Sequence, residues 1–503
     1  MTPLEQLKKE LRTVANLKGA TALLHWDQET YMPKNSGEAR ANQIALLESL
    51  VHEKFVGDNV RGPLGELVDL DSGVVRDNVT EDDHRLIQEI WKDFHRASAL
   101  PKDFVEELAR TTSHAQQIWV KAKTENNFGE FTPILEKIIN LKFKEIEYLG
   151  KKGTNYDTLL DEFEPGMTSV EVTKIFNDVK ERLVPLVKKI TQSKIDTGRA
   201  ILHQDYDEQK QWEFGLMVLK DMGYDLNRGR QDRSAHPFTI EFHPSDVRIT
   251  TRLKTDNLMA GFSSTMHEGG HGLYEQGLQA ESFGTPFSQA ISYGIHESQS
   301  RLWENLVARS KPFWRHYYPK LQKVFPDQLN KTSLDQFYKA INTIKSSLIR
   351  VEADEVTYNL HIMLRFEIEK MIINDGLSVT ELPEIWNNKM EEYLGIRPPN
   401  DSLGVLQDVH WSFGGFGYFL TYTLGNLYNV PILNKAKTEI ADYEKKIASG
   451  DLLELREWLR KNIHSIGRRK TASELIMDIT ETPLSAAPFM DYLEEKYSEI
   501  YSL

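Results

Sequence analysis

The sequence predicts a mainly α-helical protein with one small β-structure, and three observations support this expectation. Long stretches repeat apolar residues at helical spacing among charged residues, and no internal repeat or low-complexity tract interrupts them. Only the segment 236–253 alternates apolar and polar residues. With 503 residues and 40% hydrophobic content, the chain can bury a large core, and we expect a single domain over residues 1–503.

The helical pattern begins at the N-terminus. Thr2-Pro3-Leu4-Glu5 has the residues of a capping box, which predicts a helix start at this point. Apolar residues at helical spacing then predict further helices over 134–148, 170–195 and 334–374.

The segment 236–253 is predicted to be a β-hairpin that turns at His243-Pro244-Ser245. In its second strand Asp246, Arg248 and Thr250 would share one face, because alternate side chains of a strand point the same way. The edge of such a hairpin could pair with an extended peptide. A solvated surface hairpin would explain the pattern equally well.

Composition excludes several classes of protein. The formal net charge is −14, which disfavours nucleic acid as a partner because phosphates require a basic surface. No stretch approaches 18 consecutive apolar residues, so no membrane span is expected. The chain has no cysteine, which excludes thiol chemistry and Cys-rich zinc fingers. Residues 1–20 lack the apolar run of a signal peptide, and we expect a cytoplasmic protein.

The motif His267-Glu268-Gly269-Gly270-His271 predicts a metal site. Residues four apart lie on one face of a helix, so His267 and His271 can bind one divalent ion together. Glu268 would then lie beside the open coordination position, where a carboxylate can take a proton from water. The two glycines weaken a helix, and their expected use is the close approach of another backbone or of substrate.

The third metal ligand has two acidic candidates. Glu297 lies in a downstream segment, 291–306, whose apolar spacing predicts a helix packed antiparallel to the first. Glu275 follows His271 by one turn, but it would lie about 12 Å from His267 along a straight helix. Glu275 therefore suits a role in holding a ligand in place better than the role of a ligand.

Two polar clusters occur further along the chain. In the predicted helix 334–374, Arg350 and Asp354 would share a face, where an ion pair would explain both residues. Arg350 could instead hold a carboxylate with its planar fork. The segment 404–418 is dense in glycine and aromatic residues, yet it lacks the Gly-Lys-Ser/Thr ending of a phosphate-binding loop.

Six motifs in this order resemble the thermostable, Taq-type family of metallocarboxypeptidases, and the resemblance runs nearly end to end, from 25–33 to 492–497. The motifs are HPF, DxRxT, HExxH, HES, IRxxAD and GxxQDxHW, which stand here at 236–238, 246–250, 267–271, 296–298, 349–354 and 404–411.

The resemblance implies an elongated, two-lobed helical zincin fold similar to neurolysin and angiotensin-converting enzyme. A deep groove would separate the lobes, and the small β-sheet would lie next to the active-site helix. The active-site helices would span about 258–310 and the substrate-binding segments about 345–430. Members of the family remove single residues from peptide C-termini and are commonly homodimers.

The resemblance also implies roles for individual residues. His267, His271 and Glu297 would bind one Zn²⁺ per chain, for which Co²⁺ can substitute, and Glu268 would be the general base. Donors for the oxyanion would be His410 and Tyr422, with Tyr418 as the alternative phenol or as a substrate contact. Substrate binding would involve Arg350 at the C-terminal carboxylate, and His236 and Arg248 where they line or close the groove.

Two alternative functions remain open at the level of sequence. One is a zinc endopeptidase or oligopeptidase on the same fold. The other is a non-catalytic peptide-binding protein with a residual metal site, although the intact Glu268 argues against it.

Overall fold

Helices form most of the chain in this computed structural model, which describes residues 1–76 and 79–503. The N-terminal part contains four helices: α1 (Pro3–Thr30), α2 (Gly37–Val56), α3 (Asp58–Leu67) and α4 (Glu81–Ala99). The predicted capping box of α1 is confirmed, since the Thr2 hydroxyl accepts a hydrogen bond from the Glu5 amide at 3.2 Å and the Glu5 carboxylate accepts one from the Thr2 amide at 2.8 Å.

Five helices connect the N-terminal part to the sheet. They are α5 (Lys102–Glu125), α6 (Phe128–Leu149), α7 (Asn155–Leu160), α8 (Ser169–Gln192) and α9 (Glu208–Asp221). The helices predicted over 134–148 and 170–195 are confirmed as α6 and α8. Each buries one apolar stripe, as the spacing of their apolar residues requires.

The sheet has three strands, β1 (Gly229–Arg233), β2 (Thr239–His243) and β3 (Asp246–Thr251), in the order β1-β3-β2. The predicted hairpin is confirmed as β2 and β3, which are antiparallel. The sequence does not predict β1, which pairs with β3 in parallel. The sequence of β1, Gly-Arg-Gln-Asp-Arg, contains no apolar residue and therefore gives no strand pattern.

The two faces of the sheet contact different helices. Val247 and Ile249 of β3 are fully buried. A Cβ at Gly272 of α10 (Leu258–Gly277) would lie 3.1 Å from Ile249, so this face is turned to α10. On the other face a Cβ at Gly19 of α1 would lie 3.1 Å from the backbone oxygen of Phe242. The sheet is therefore packed between α1 and α10.

After α10 the chain forms α11 (Tyr293–Arg301), which continues directly into a turn of π-helix at Leu302–Val307. The C-terminal half adds ten helices, which are α12 (Lys311–Val324), α13 (Pro326–Leu329), α14 (Leu334–Ile341), α15 (Tyr358–Asp375), α16 (Leu382–Leu394), α17 (Leu420–Glu439), α18 (Tyr443–Ser449), α19 (Leu453–Asn462), α20 (Ala472–Thr480) and α21 (Ala487–Tyr501).

The helix predicted over 334–374 is wrong in its middle part. The chain leaves helical geometry after α14 and re-enters it only at α15, with a short 3₁₀ turn at Arg350–Glu352 between them. The Asp354 carboxylate accepts hydrogen bonds from the backbone amides of Lys345, Val356 and Thr357. Such local bonds give the backbone an alternative to helix, and they leave Asp354 without an ion pair to Arg350.

Most buried apolar residues of the described chain belong to one of two clusters. The larger one extends from α5 to α21 and surrounds α10 and α11. The smaller one joins α1, α3 and α4 to Phe287. The predicted fold class, mainly helical with a small sheet beside the helix that carries HExxH, is confirmed. In the described residues no helix is both long and apolar enough to cross a membrane.

Candidate metal centre and active site

Helix α10 presents the two histidines of the HExxH motif on one face. Their rings lie 4.9 Å apart, centroid to centroid. Both side chains are partly open, with 20% of His267 and 12% of His271 exposed. The helix is capped by Asn257, whose side chain accepts a hydrogen bond from the Ala260 amide.

Glu297 of α11 brings a carboxylate to these histidines. Its Oε2 lies 3.6 Å from Nε2 of His267 and 3.4 Å from Nε2 of His271. The three ligand atoms all lie within 4.8 Å of one another. Ligands about 2.1 Å from one tetrahedral ion are separated by about 3.4 Å, so this donor set fits a zinc-type ion.

Glycines allow α10, α11 and α17 to approach closely enough to form this group. A Cβ at Gly270 would lie 2.6 Å from the backbone oxygen of Gln299 in α11. A Cβ at Gly425 of α17 would lie 2.6 Å from Cγ of Glu297. The expectation that another backbone passes close to the motif glycines is confirmed at Gly270. Gly269 faces the side chain of Leu219 instead.

Arg301 and Glu304 fix the orientation of two members of the group. Nε of Arg301 donates to Oε1 of Glu297 at 2.7 Å, and Nη1 donates to Oε2 of Glu304 at 3.1 Å. Glu304 also bonds Nδ1 of His267 at 2.9 Å, which directs Nε2 of the ring toward Glu297. Neither residue was predicted from the sequence. The i,i+4 spacing of Glu297 and Arg301 was the available signal.

The protein charges shift the pKa values of this group in opposite directions. Burial opposes ionisation of Glu297, but Arg301 and His267 outweigh it and hold its pKa well below the ordinary value. Burial lowers the pKa of His267, but Glu297 and Glu304 raise it to about 9. Burial and His296 lower the pKa of His271 to about 3. His271 is therefore neutral, as a metal ligand must be, whereas His267 would release a proton on binding an ion.

Glu275 lies beside His296 rather than among the three clustered ligand atoms. Its Oε1 is 2.8 Å from Nε2 of His296, and the His296 ring stacks on His271 with centroids 4.2 Å apart. Glu275 thus fixes a ring that packs against His271. This contact agrees with the expectation that Glu275 holds a ligand in place.

The Glu268 carboxylate is positioned from the sheet. The hydroxyl of Thr239 in β2 donates a hydrogen bond to Oε2 of Glu268 at 2.7 Å. Glu268 is buried, with 6% of the residue exposed. Burial raises the pKa of Glu268, while His267 opposes the shift. A carboxylate with a raised pKa and one bonded oxygen is suited to accept and return a proton.

Arg350 is held by Asp408 and not by the predicted partner Asp354. Nε and Nη2 of Arg350 each lie 2.9 Å from Oδ1 of Asp408, and Nη1 donates to the hydroxyl of Tyr358 at 2.9 Å. Asp408 also accepts a hydrogen bond from Nε of Arg365 at 2.7 Å. The IRxxAD and GxxQDxHW motifs therefore meet in one buried cluster, which their spacing in the sequence does not predict.

This cluster carries a net positive charge. Burial raises the pKa of Asp408, but Arg350 and Arg365 outweigh it and hold the pKa far below its ordinary value. Burial lowers the pKa of Arg365 to about 10, so this guanidinium is still charged at neutral pH. Two guanidiniums and one carboxylate leave one uncompensated positive charge.

His410, Tyr422 and Tyr418 lie next to this charge. Nε2 of His410 is 3.2 Å from the Tyr422 hydroxyl, and the Arg350 guanidinium lies 5.0 Å from the Tyr422 ring centroid. The rings of Tyr418 and Tyr422 are 5.4 Å apart. Burial and Arg350 lower the pKa of His410 to about 3, and burial raises the pKa values of both tyrosines. All three groups are therefore neutral hydrogen-bond donors at pH 7.

His236 and Arg248 lie at the sheet. His236 is exposed in the connection between β1 and β2. The Arg248 guanidinium forms a two-bond pair with Asp246 and lies 4.4 Å from the ring of Trp26 in α1. Arg248 pairs in register with Ile240, and its guanidinium lies over the ring of Phe242. Arg248 is therefore on the sheet face opposite α10.

Together the helical fold, the His-His-Glu group and the adjacent acid define a metallopeptidase of the HExxH type. The model of the carboxypeptidase Taq (M32) metallopeptidase family matches residues 6–497. The chain belongs to this family, and the resemblance inferred from the motifs is confirmed.

Relatives match along the whole chain. Thermostable carboxypeptidase 1 of Thermus thermophilus is 41% identical and covers 100% of both chains. Carboxypeptidase 1 of Bacillus subtilis is 38% identical, over 98% of this chain and 97% of its own. The crystal structure of an M32 carboxypeptidase from Deinococcus radiodurans R1 superposes with a TM-score of 0.95 at 37% identity, covering 100% of both chains.

Proposed function

We propose that this chain is a zinc-dependent carboxypeptidase that removes single amino acids from the free C-terminus of peptides. The observation that carries the proposal is the pairing of two features: a ligand group with an adjacent acid, and a buried cluster of net positive charge beside Tyr422. The first feature supports hydrolysis, and the second supports recognition of a terminal carboxylate. Relatives named carboxypeptidases add to this support.

The ion would be held by His267, His271 and Glu297. When bound, a divalent cation supplies a Lewis acid that acidifies water and polarises the scissile carbonyl. Glu268 takes the proton of the attacking water on its carboxylate, with Thr239 fixing the orientation of that group. The same carboxylic acid then donates the proton to the leaving amine.

Tyr422 and His410 are proposed as donors to the oxyanion that forms on the scissile carbonyl. Both are neutral and lie at hydrogen-bond distance from each other, so the pair is fixed before substrate binds. Tyr418 is the alternative phenol. Its ring also contacts Phe163 and Tyr293 at 5.3 and 5.4 Å, which supports a role in lining the substrate path.

Arg350 is proposed to bind the substrate's C-terminal carboxylate. Asp408 already binds part of the Arg350 guanidinium. Because Asp408 also pairs with Arg365, one positive charge stays uncompensated, next to Tyr422. A substrate carboxylate would neutralise that charge in a buried place, where charge pairs are stronger than in water. The cluster therefore favours a peptide that ends near Arg350.

His236 and Arg248 are proposed to limit the groove near the sheet. His236 is exposed and free to contact a peptide. Arg248 is engaged by Asp246 and Trp26, so we propose that it acts by holding α1 against the sheet. The single-domain organisation over 1–503 remains part of the proposal, as do a homodimeric state, a cytoplasmic location and peptides rather than nucleic acids as partners.

The metal dependence can be tested by removal and return of the ion. The protein is dialysed against a chelator, assayed on an N-blocked dipeptide, and reconstituted with Zn²⁺ or Co²⁺. We expect activity to be lost and then restored by either ion, because two imidazoles and a carboxylate bind both. Full activity at undetectable metal content would refute the proposal.

Two alternative functions make different predictions. An endopeptidase or oligopeptidase on this fold would cleave internal bonds and would not need Arg350. A non-catalytic peptide-binding protein would bind peptides without cleaving them at any metal loading. The position of Glu268 against Thr239 favours an enzyme over this second alternative.

A further inference from the structure

Glu241 of β2 presents an unpaired carboxylate on the sheet face turned to α10. Alternate residues of a strand share a face, so Glu241 points the same way as Thr239, whose hydroxyl contacts the base Glu268. The two positions are about 7 Å apart along the strand. Glu241 is exposed, and none of the ion pairs in residues 1–76 and 79–503 includes it.

Charged groups lie close to the exposed Glu241. Desolvation and the nearby Glu275 raise the pKa of Glu241 to about 7, and His296 and Lys18 oppose the shift, so the group is about half ionised at pH 7 and a cation beside it would favour the ionised form. Tyr293 shows the same combination, since it is 48% exposed while burial, Glu162 and Glu241 raise its pKa. Glu241 thus lies near Tyr293, and both side chains are exposed.

A row of tyrosines extends from Tyr293 to Arg350. Tyr293 and Tyr418 have ring centroids 5.4 Å apart, Tyr418 and Tyr422 are again 5.4 Å apart, and the Arg350 guanidinium lies 5.0 Å from Tyr422. The row is at most as long as an extended peptide of about four to five residues. Arg350 therefore supplies a positive charge at one end of the row, and Glu241, which contributes to the raised pKa of Tyr293, lies near the other end.

We propose that Glu241 forms a subsite for a positively charged group of the peptide, two or three residues on the N-terminal side of the scissile bond. In short peptides this group is the α-ammonium, and in longer ones it is a lysine or arginine side chain. The proposal rests on the proposed function and adds a preference for charge to it. A peptide with a carboxylate at Arg350 and a cation at Glu241 would be oriented by both ends.

The test compares acetylated hexapeptides of otherwise identical sequence. The second or the third residue before the scissile bond is lysine, norleucine or glutamate. Wild-type enzyme is expected to show a kcat/KM about fivefold higher for lysine than for norleucine, and lowest for glutamate. In Glu241→Gln the lysine-to-norleucine ratio should fall toward one, and in Glu241→Asp it should persist. The ratio within each enzyme does not depend on the folded fraction.

A second arm separates the two sources of the cation. Tetrapeptides with a free or an acetylated N-terminus test the α-ammonium, and wild type should prefer the free form at this length. The control Glu444→Gln removes an exposed carboxylate that pairs with Lys437 at α18, and it should keep every preference. Equal rates for all peptides in wild type, or preferences unchanged in Glu241→Gln, would overturn the subsite. Failure of wild type to cleave any peptide would instead contradict the proposed function.

Discussion

Glu268 and Thr239 form the contact on which the chemistry of the site depends. The threonine hydroxyl bonds one carboxylate oxygen, and burial raises the pKa of Glu268, so the second oxygen is a base of moderate strength. The contact joins an edge strand to the active-site helix. The sequence predicted Glu268 from the motif but gave no sign of Thr239, because a threonine in a strand has no distinctive spacing.

Replacing Glu268 with Gln should lower kcat by about 10²- to 10⁴-fold while leaving the metal content unchanged. Glutamine keeps the size of the side chain and can still accept the Thr239 hydrogen bond, but it cannot take up a proton at neutral pH. The check is kcat on a blocked dipeptide together with metal content by elemental analysis. Activity within threefold of wild type would remove Glu268 from the role of base.

Arg350→Lys should reduce kcat/KM on free-acid peptides by about 10- to 100-fold with metal affinity unchanged. Lysine keeps the charge but cannot bond Asp408, Tyr358 and a substrate carboxylate together. Steady-state kinetics should show most of the loss in KM. The control Arg397→Lys changes an exposed arginine that pairs with Glu384 and Glu391, and it should have no effect. Equal losses on free-acid and amidated substrates would contradict carboxylate recognition.

At the scale of secondary-structure elements, the contact between α10 and α11 sets the distance between the metal ligands. The sequence predicted that the motif glycines admit a close neighbour, and Gly270 meets the α11 backbone. It could not predict that Gly269 meets only a side chain, since both residues interrupt the helix in the same way. The difference depends on the direction in which each Cβ would point, which only the packed structure specifies.

Gly270→Ala should destabilise the protein by about 2–4 kcal/mol and weaken metal binding, whereas Gly269→Ala should stay within about 1 kcal/mol of wild type. At Gly270 the new methyl group would lie 2.6 Å from backbone oxygen and 2.7 Å from a backbone Cα. At Gly269 it would meet the end of the Leu219 side chain, which can move. Thermal unfolding and a competitive chelator titration measure both effects. Equal destabilisation by the two variants would contradict this packing.

Two other elements show where periodicity fails as a predictor. The strand β1 was not predicted because its residues are polar. Among the strands of the described residues, it pairs with β3 alone. The helix over 334–374 was overpredicted because its apolar spacing continues across a break. Asp354 bonds three backbone amides there, and Arg350 turns inward to Asp408, which is 58 residues away in the chain. A partner so distant in sequence leaves no trace in local spacing.

At the scale of the whole molecule, the core contains buried carboxylates with raised pKa values. Glu369 accepts hydrogen bonds from Tyr156, Trp411 and the Gly417 amide, yet burial raises its pKa to about 7. Its folded pKa is above the ordinary 4.5, so the folded state binds this proton more tightly than the unfolded state does. The stability that Glu369 contributes is fully present below pH 4.5 and is lost as pH rises through 7.

Glu369→Gln should therefore destabilise the protein more at pH 5 than at pH 8, with a difference on the order of 3 kcal/mol between the two conditions. Glutamine does not titrate, so the variant lacks the loss that wild type suffers as pH rises. Urea unfolding of wild type and variant at each pH gives the difference in their free energies of unfolding. The contributions of other titrating groups are the same in both proteins and cancel. A destabilisation that is equal at both pH values, or larger at pH 8, would contradict the raised pKa.

The central claim is that the positive cluster at Arg350 makes the site a carboxypeptidase. The most direct measurement is mass-spectrometric digestion of one peptide in free-acid and C-terminally amidated forms, by metal-loaded wild type and Glu268→Gln side by side. We expect a ladder of single-residue losses from the free acid alone, absent in the variant. Internal cleavage of both peptides by wild type would contradict the claim and would indicate an endopeptidase.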